Sequence, residues 1–130
     1  MRAIDTNIVL RAIMVDDPEQ AAVASELLNR PAFIPPTVLV EVAWALQSIY
    51  KLDRRSISEA MSGVLDLPTI SVANEPEVRW ALKRHAEAAS DLADLLHLAY
   101  STEAERFTTF DKKLASQAGP NPPMPVELIP

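Results

Sequence analysis

The sequence predicts an α/β fold with a small, mainly parallel sheet covered by helices on both faces. Two observations predict it. Short apolar or β-branched runs alternate with amphipathic helical stretches along the chain. Helices outweigh strands, so the sheet must be small. The 130 residues hold no internal repeat and no linker, which fits one domain over 1–130.

The elements follow in order. Arg2 to Asp5 reads as a short strand entering a turn, and Thr6 to Val15 carries apolar residues at helical spacing. Pro18 suits a helix first turn, and Glu19 to Asn29 is a second amphipathic helix. Ala32, Phe33 and Ile34 form a buried strand that stops at Pro35 and Pro36. Pro36 to Lys51 is a long helix. Ser56 to Leu67 is another, ended by Pro68. Thr69 to Val72 alternates like a strand. Glu75 to Ala89 is helical, with its charges on one side. Ser90 is the expected N-cap of a helix from Asp91 to Thr102. Arg106 to Phe110 is a β-branched and aromatic strand, and Asp111 to Ala118 a short helix. After the stiff GPNPPMP connector, Val126 to Ile129 is the last strand.

Composition narrows the function. No apolar run is long enough to span a membrane, and the start MRAIDTN is too short in apolar residues for a signal peptide. Cysteine is absent, which excludes disulfides, thiolate zinc sites and a cysteine nucleophile and fits a reducing cytoplasm. The net charge of −6 argues against broad attraction to nucleic acid. It does not exclude nucleic acid as a substrate, because divalent cations can bridge carboxylates to phosphates.

Most acidic residues read as solvated surface: Asp16, Asp17, Glu19, Glu59, Glu75, Glu77, Glu87, Glu103 and Glu105. Asp5 and Asp111 differ. Each stands after a strand and before a helix, where an N-cap is the ordinary role. The carboxyl ends of parallel strands also face the usual ligand crevice, so the two could converge. Glu41 sits in TVLVEVAWAL without a basic residue in helical reach. A carboxylate on an apolar face costs several kcal/mol unless paired or bound to a cation; an exposed helix edge is the other reading. In SDLADLLHLAY, Asp91 and Asp94 share a helix face. Asp91 suits a first turn, whereas Asp94 lies deeper, where Asp has poor propensity. His97 shares that face and is more often a packed residue than a ligand. His85, in a charged helix, is expected at the surface.

An all-carboxylate cluster selects hard cations, Mg²⁺ or Mn²⁺ rather than zinc. The chemistry implied is phosphodiester hydrolysis by metal-activated water, with a free carboxylate as proton acceptor.

The chain resembles the PIN-domain nucleases, and within them the VapC toxins of type II toxin–antitoxin pairs. The matching segments are RAIDTNIVLR, PPTVLVEVAWAL, SDLADLLHLAY and FTTFDKKLA, in family order. By motif, Asp5, Glu41, Asp94 and Asp111 match the family's acidic quartet, and Asp91 an extra acidic position found in many relatives. Thr6, Asn7 and Thr109 fall where the family has small polar residues supporting the site. The resemblance implies a three-layer α/β/α sandwich and a Mg²⁺- or Mn²⁺-dependent endoribonuclease. It also implies a homodimer and inhibition by a cognate VapB-type antitoxin. Arg11, Lys51, Arg54, Arg55, Lys112 and Lys113 are candidate phosphate contacts, or ordinary surface cations. The alternatives are a housekeeping RNA-processing PIN nuclease and a PIN-fold binding protein without turnover. A haloacid-type phosphatase would need a second Asp where Asn7 stands. A phosphoaspartate switch would want a late lysine where Thr109 and Asp111 stand.

Overall fold

The computed structural model describes residues 1–88 and 90–130; Ala89, the expected end of one helix, lies outside the described residues. The chain groups into two compact units, Met1–Ala73 and Asn74–Pro130.

The first unit runs β1 (Arg2–Ala3), α1 (Thr6–Met14), α2 (Pro18–Leu28), β2 (Ala32–Phe33), α3 (Pro36–Ser48), α4 (Arg54–Leu65) and β3 (Ile70–Ser71). The strands pair in parallel in the order β1-β2-β3, with Ala32 between Arg2 and Ile70. Local chemistry sets the helix ends. Asp17 caps α2 by accepting from Gln20 N at 3.2 Å, with Pro18 in the first turn. Asp53 caps α4 by accepting from Ser56 N at 2.8 Å, so α4 starts two residues before the expected Ser56. The Ser56 hydrogen bonds hold the Asp53 carboxyl below the usual range. Ile4, Val9, Leu28, Ile34, Val42, Leu46 and Ile57 are buried. Each large aliphatic side chain so removed from water contributes about 1.5–3 kcal/mol.

The second unit runs α5 (Glu75–Glu87), α6 (Leu92–Ala99), β4 (Phe107–Thr109), α7 (Lys112–Gln117) and β5 (Val126–Leu128). β4 and β5 pair in parallel, Thr108 opposite Glu127. Across that pair Arg106 donates to Glu127 at 2.7 Å and holds its carboxyl below the usual range.

Two expectations are corrected here. Ser90 is buried and Asp91 is the N-cap of α6. Its Oδ1 accepts from Ala93 N, satisfying one of the orphan N–H groups of the first turn. His85 is not at the surface: it is 2 % exposed. With Val78, Ala81 and Leu82 it completes the buried stripe of α5, at helical spacing. Its Nδ1 lies 2.8 Å from the Ser90 carbonyl, which can only accept, so Nδ1 carries the proton.

The class is α/β with short parallel strands, as the alternation predicted. Among the described residues no helix is long and apolar enough to cross a membrane.

Candidate active site

In the first unit, Asp5 leaves the β1 ladder in extended conformation and becomes the N-cap of α1. Its Oδ1 accepts from Thr6 N at 2.8 Å, and the side chain is exposed. Thr6 is buried, and its hydroxyl has no hydrogen-bond partner among the described residues. Buried hydroxyls normally have one, so this atom is the unusual feature beside Asp5. Asn7 is exposed and lines a cavity of about 530 Å³ with Ile8, Gln20 and Val23.

Glu41 lies in the second turn of α3. The buried face of that helix is Val38, Leu39, Val42, Ala45 and Leu46. Glu41 falls on the opposite stripe, with Thr37 and Trp44, and is exposed. Glu41 therefore takes the exposed helix edge rather than an apolar face: its apolar neighbours face inward while it faces out. Among the described residues it has no hydrogen bond or ion pair, so its carboxylate stays available.

In the second unit, Asp91 Oδ1 accepts from Ala93 N at 2.9 Å. Asp111 caps α7, its Oδ1 accepting from Lys113 N at 2.9 Å and Leu114 N at 3.1 Å. Thr109 Oγ1 accepts the Asp111 N–H at 2.9 Å, which ties the cap to the end of β4. Asp94 sits in the first turn of α6, half-buried. Burial pushes its carboxyl above the usual range, and the charges of Asp91 and Asp111 push the same way; His97 and Lys113 oppose them.

Asp5, Asp91 and Asp111 are thus N-caps, and the cap uses one carboxylate oxygen in each. The second oxygen keeps its acceptor capacity. Capping and ligand binding are compatible, because the cap fixes the side chain without consuming it. The donors suit a hard cation, being all carboxylate oxygens. Among the described residues, however, no group of three or more His, Asp or Glu side chains converges to hold a metal ion.

The basic candidates divide. Arg11 is engaged within the fold: Nε donates to Gln20 at 2.7 Å, and its terminal nitrogen lies 3.4 Å from Asp16 and from Tyr50 Oη. It ties α1 to α2 and to the chain beyond α3. His97 is exposed rather than packed, and Lys112 and Lys113 are exposed. Tyr100 is given no role by the sequence. Its hydroxyl is buried, has no hydrogen-bond partner among the described residues, and burial pushes it up to about 12.

The PIN domain model matches residues 3–120, a span that includes all the acidic candidates and reaches into both units. No curated protein matches the sequence. PIN domains are generally nucleases. With the family match covering most of its length, the chain belongs to the PIN domain family.

Proposed function

We propose that this protein is a divalent-metal-dependent endoribonuclease, a single PIN domain over 1–130 that acts in the cytoplasm as the VapC-type toxin of a toxin–antitoxin pair. The observation that carries the proposal is the PIN family match over residues 3–120; it is taken together with the resemblance by which Asp5, Glu41, Asp94 and Asp111 correspond to the family's acidic quartet. Two further features support it. Asp5 and Asp111 are held rigidly through one oxygen while the other remains an acceptor. Asp94 bears repulsion from Asp91 and Asp111 that a cation would relieve.

The residues that would hold Mg²⁺ or Mn²⁺ are Asp5, Glu41, Asp94 and Asp111, with Asp91 as a fifth carboxylate. When bound, the metal supplies acidification of water and neutralisation of phosphate charge. The chain's own contribution is orientation. The caps fix Asp5 and Asp111, and Thr109 holds the Asp111 backbone in turn. A carboxylate of this set left unbound by the metal would take the proton from the attacking water. Thr6 and Asn7 are the proposed polar supports of Asp5.

Trp44 and Ile49 are 58 % and 60 % exposed, and Val15 and Val23 are exposed as well. We propose that the partners are a second copy of the chain and a VapB-type antitoxin, as the family resemblance implies; these exposed side chains are available to such a contact.

The test is cleavage of RNA by the purified chain. With Mn²⁺ or Mg²⁺ the wild type should cut, and Asp5→Ala or Asp94→Ala should abolish cutting. Cleavage that survives EDTA and both substitutions would overturn the proposal. The absence of a three-carboxylate group among the described residues favours a second reading, a PIN-fold binding protein without turnover. Calorimetric titration decides between them: no divalent binding supports the second.

A further inference from the structure

A cleft of about 250 Å³ opens in the second unit, and none of the capping aspartates lines it. One wall is a single face of α5. Trp80, Lys83, Arg84 and Glu87 line it, at the i, i+3, i+4, i+7 spacing that puts side chains on one stripe. The other wall is the segment after α7, including Pro120 and Asn121.

The walls are fixed to each other. Arg84 Nε donates to the Gln117 carbonyl at 2.7 Å. Gly119, at φ +83°, lies so close over the guanidinium that an added Cβ would meet Arg84 Cζ at 2.8 Å. The bond to Gln117 uses Nε only, so the terminal nitrogens of Arg84 keep their donors. Lys83 is exposed, and Trp80 is half-buried.

The contents have a chemical meaning. A half-exposed indole and a proline ring both line the cleft and offer apolar surface to a flat group. Two cations beside them suit an anion attached to that group. An aromatic platform with adjacent cations is how proteins hold single-stranded nucleic acid without reading its sequence. The volume lies below the roughly 300–1,000 Å³ of drug-sized ligand sites, so it admits one such group. Among the described residues, Glu87 is the one carboxylate on the lining. It weakens the anion term and accepts from a base N–H.

We propose that this cleft is a subsite for one unpaired nucleotide of the RNA substrate. Its base stacks on Trp80 and its phosphate is held by Lys83 and Arg84. The subsite rests on the ribonuclease function proposed above. It also answers how a chain of net charge −6 grips a polyanion: the cations are placed locally.

The test measures binding, not cutting. The full chain carries Trp44→Phe, which leaves Trp80 as its one tryptophan, and is titrated in EDTA with an unstructured 12-nucleotide oligouridylate. RNA should quench Trp80 fluorescence. Lys83→Glu, at an exposed position, should weaken binding by on the order of tenfold and steepen less with falling salt. Glu87→Gln should tighten it. Unchanged affinity in Lys83→Glu together with an unaltered Trp80 signal overturns the subsite, as does the absence of any RNA binding. Equal binding of a polyglutamate peptide also overturns it, since that polymer has no base to stack. Failure of the nuclease function is a separate result: wild type with Mg²⁺ or Mn²⁺ leaves RNA uncut, while the Trp80 quench persists.

Discussion

The hydroxyl oxygen of Thr109 accepts the backbone N–H of Asp111 at 2.9 Å, while Asp111 Oδ1 accepts from Lys113 N and Leu114 N. The carboxylate is therefore oriented from both sides before any ligand arrives. Structure and chemistry are separable at this residue. Asn is as good an N-cap as Asp, but carries no charge. Asp111→Asn should leave stability within about 0.5 kcal/mol of wild type and lose RNA cleavage. Asp111→Ala should lose cleavage and also about 1 kcal/mol of stability. Thermal melts beside a cleavage assay separate the two; equal melting of both variants would remove the cap from the account.

Thr109→Val keeps the shape and removes the acceptor. The Asp111 N–H then turns to water. The expected loss is roughly 1 kcal/mol, with cleavage reduced because Asp111 is less fixed. Denaturant unfolding and initial cleavage rates measure the two effects.

Asp94 makes a pH prediction. Its folded pKa lies above its ordinary value of 3.8, first through burial and then through Asp91 and Asp111. For a raised pKa, the stabilising contribution is present below the unfolded value and is lost as pH rises through the folded one. At neutral pH the ionised carboxylate thus opposes folding in metal-free protein. Asp94→Asn should melt higher than wild type at pH 7 in EDTA, and the gap should close as pH falls towards 3.8. A gap that widens on acidification would refute the sign.

The two glycines predict opposite outcomes. Gly63 lies inside α4 with nothing within 4 Å of a built Cβ, so Gly63→Ala should stabilise by about 0.5–1 kcal/mol. Gly119 has φ +83° and Arg84 against it. Gly119→Ala should destabilise by about 1–2 kcal/mol, through left-handed backbone and displacement of Arg84 from Gln117. Urea unfolding of both variants is the check.

Val15 closes α1 with φ 52° and is exposed. A β-branched residue is strained there. Val15→Gly should raise stability by about 1 kcal/mol, read as a shift in melting temperature.

Much of the chain was legible without coordinates, because its signals are local. Pro18, Pro36 and the aspartates before helices mark element starts, and the twelve elements among the described residues lie within one or two residues of their expected ends or inside them. The exception at Ser90 came from two adjacent capping residues, of which Asp91 makes the cap. The acidic candidates stood out for a related reason, since strand-end aspartates and a helical Glu without a basic neighbour are features of order along the chain. Periodicity says which residues share a face, but not which face is covered. Only packing turned Glu41 outward with Trp44 and put His85 inward with Val78 and Leu82. Only packing engaged Arg11 with Gln20, Asp16 and Tyr50, and laid Gly119 over Arg84. Sequence by itself determined the α/β order and the acidic set; tertiary structure decided exposure and partners, because burial and hydrogen bonding depend on residues distant in the chain.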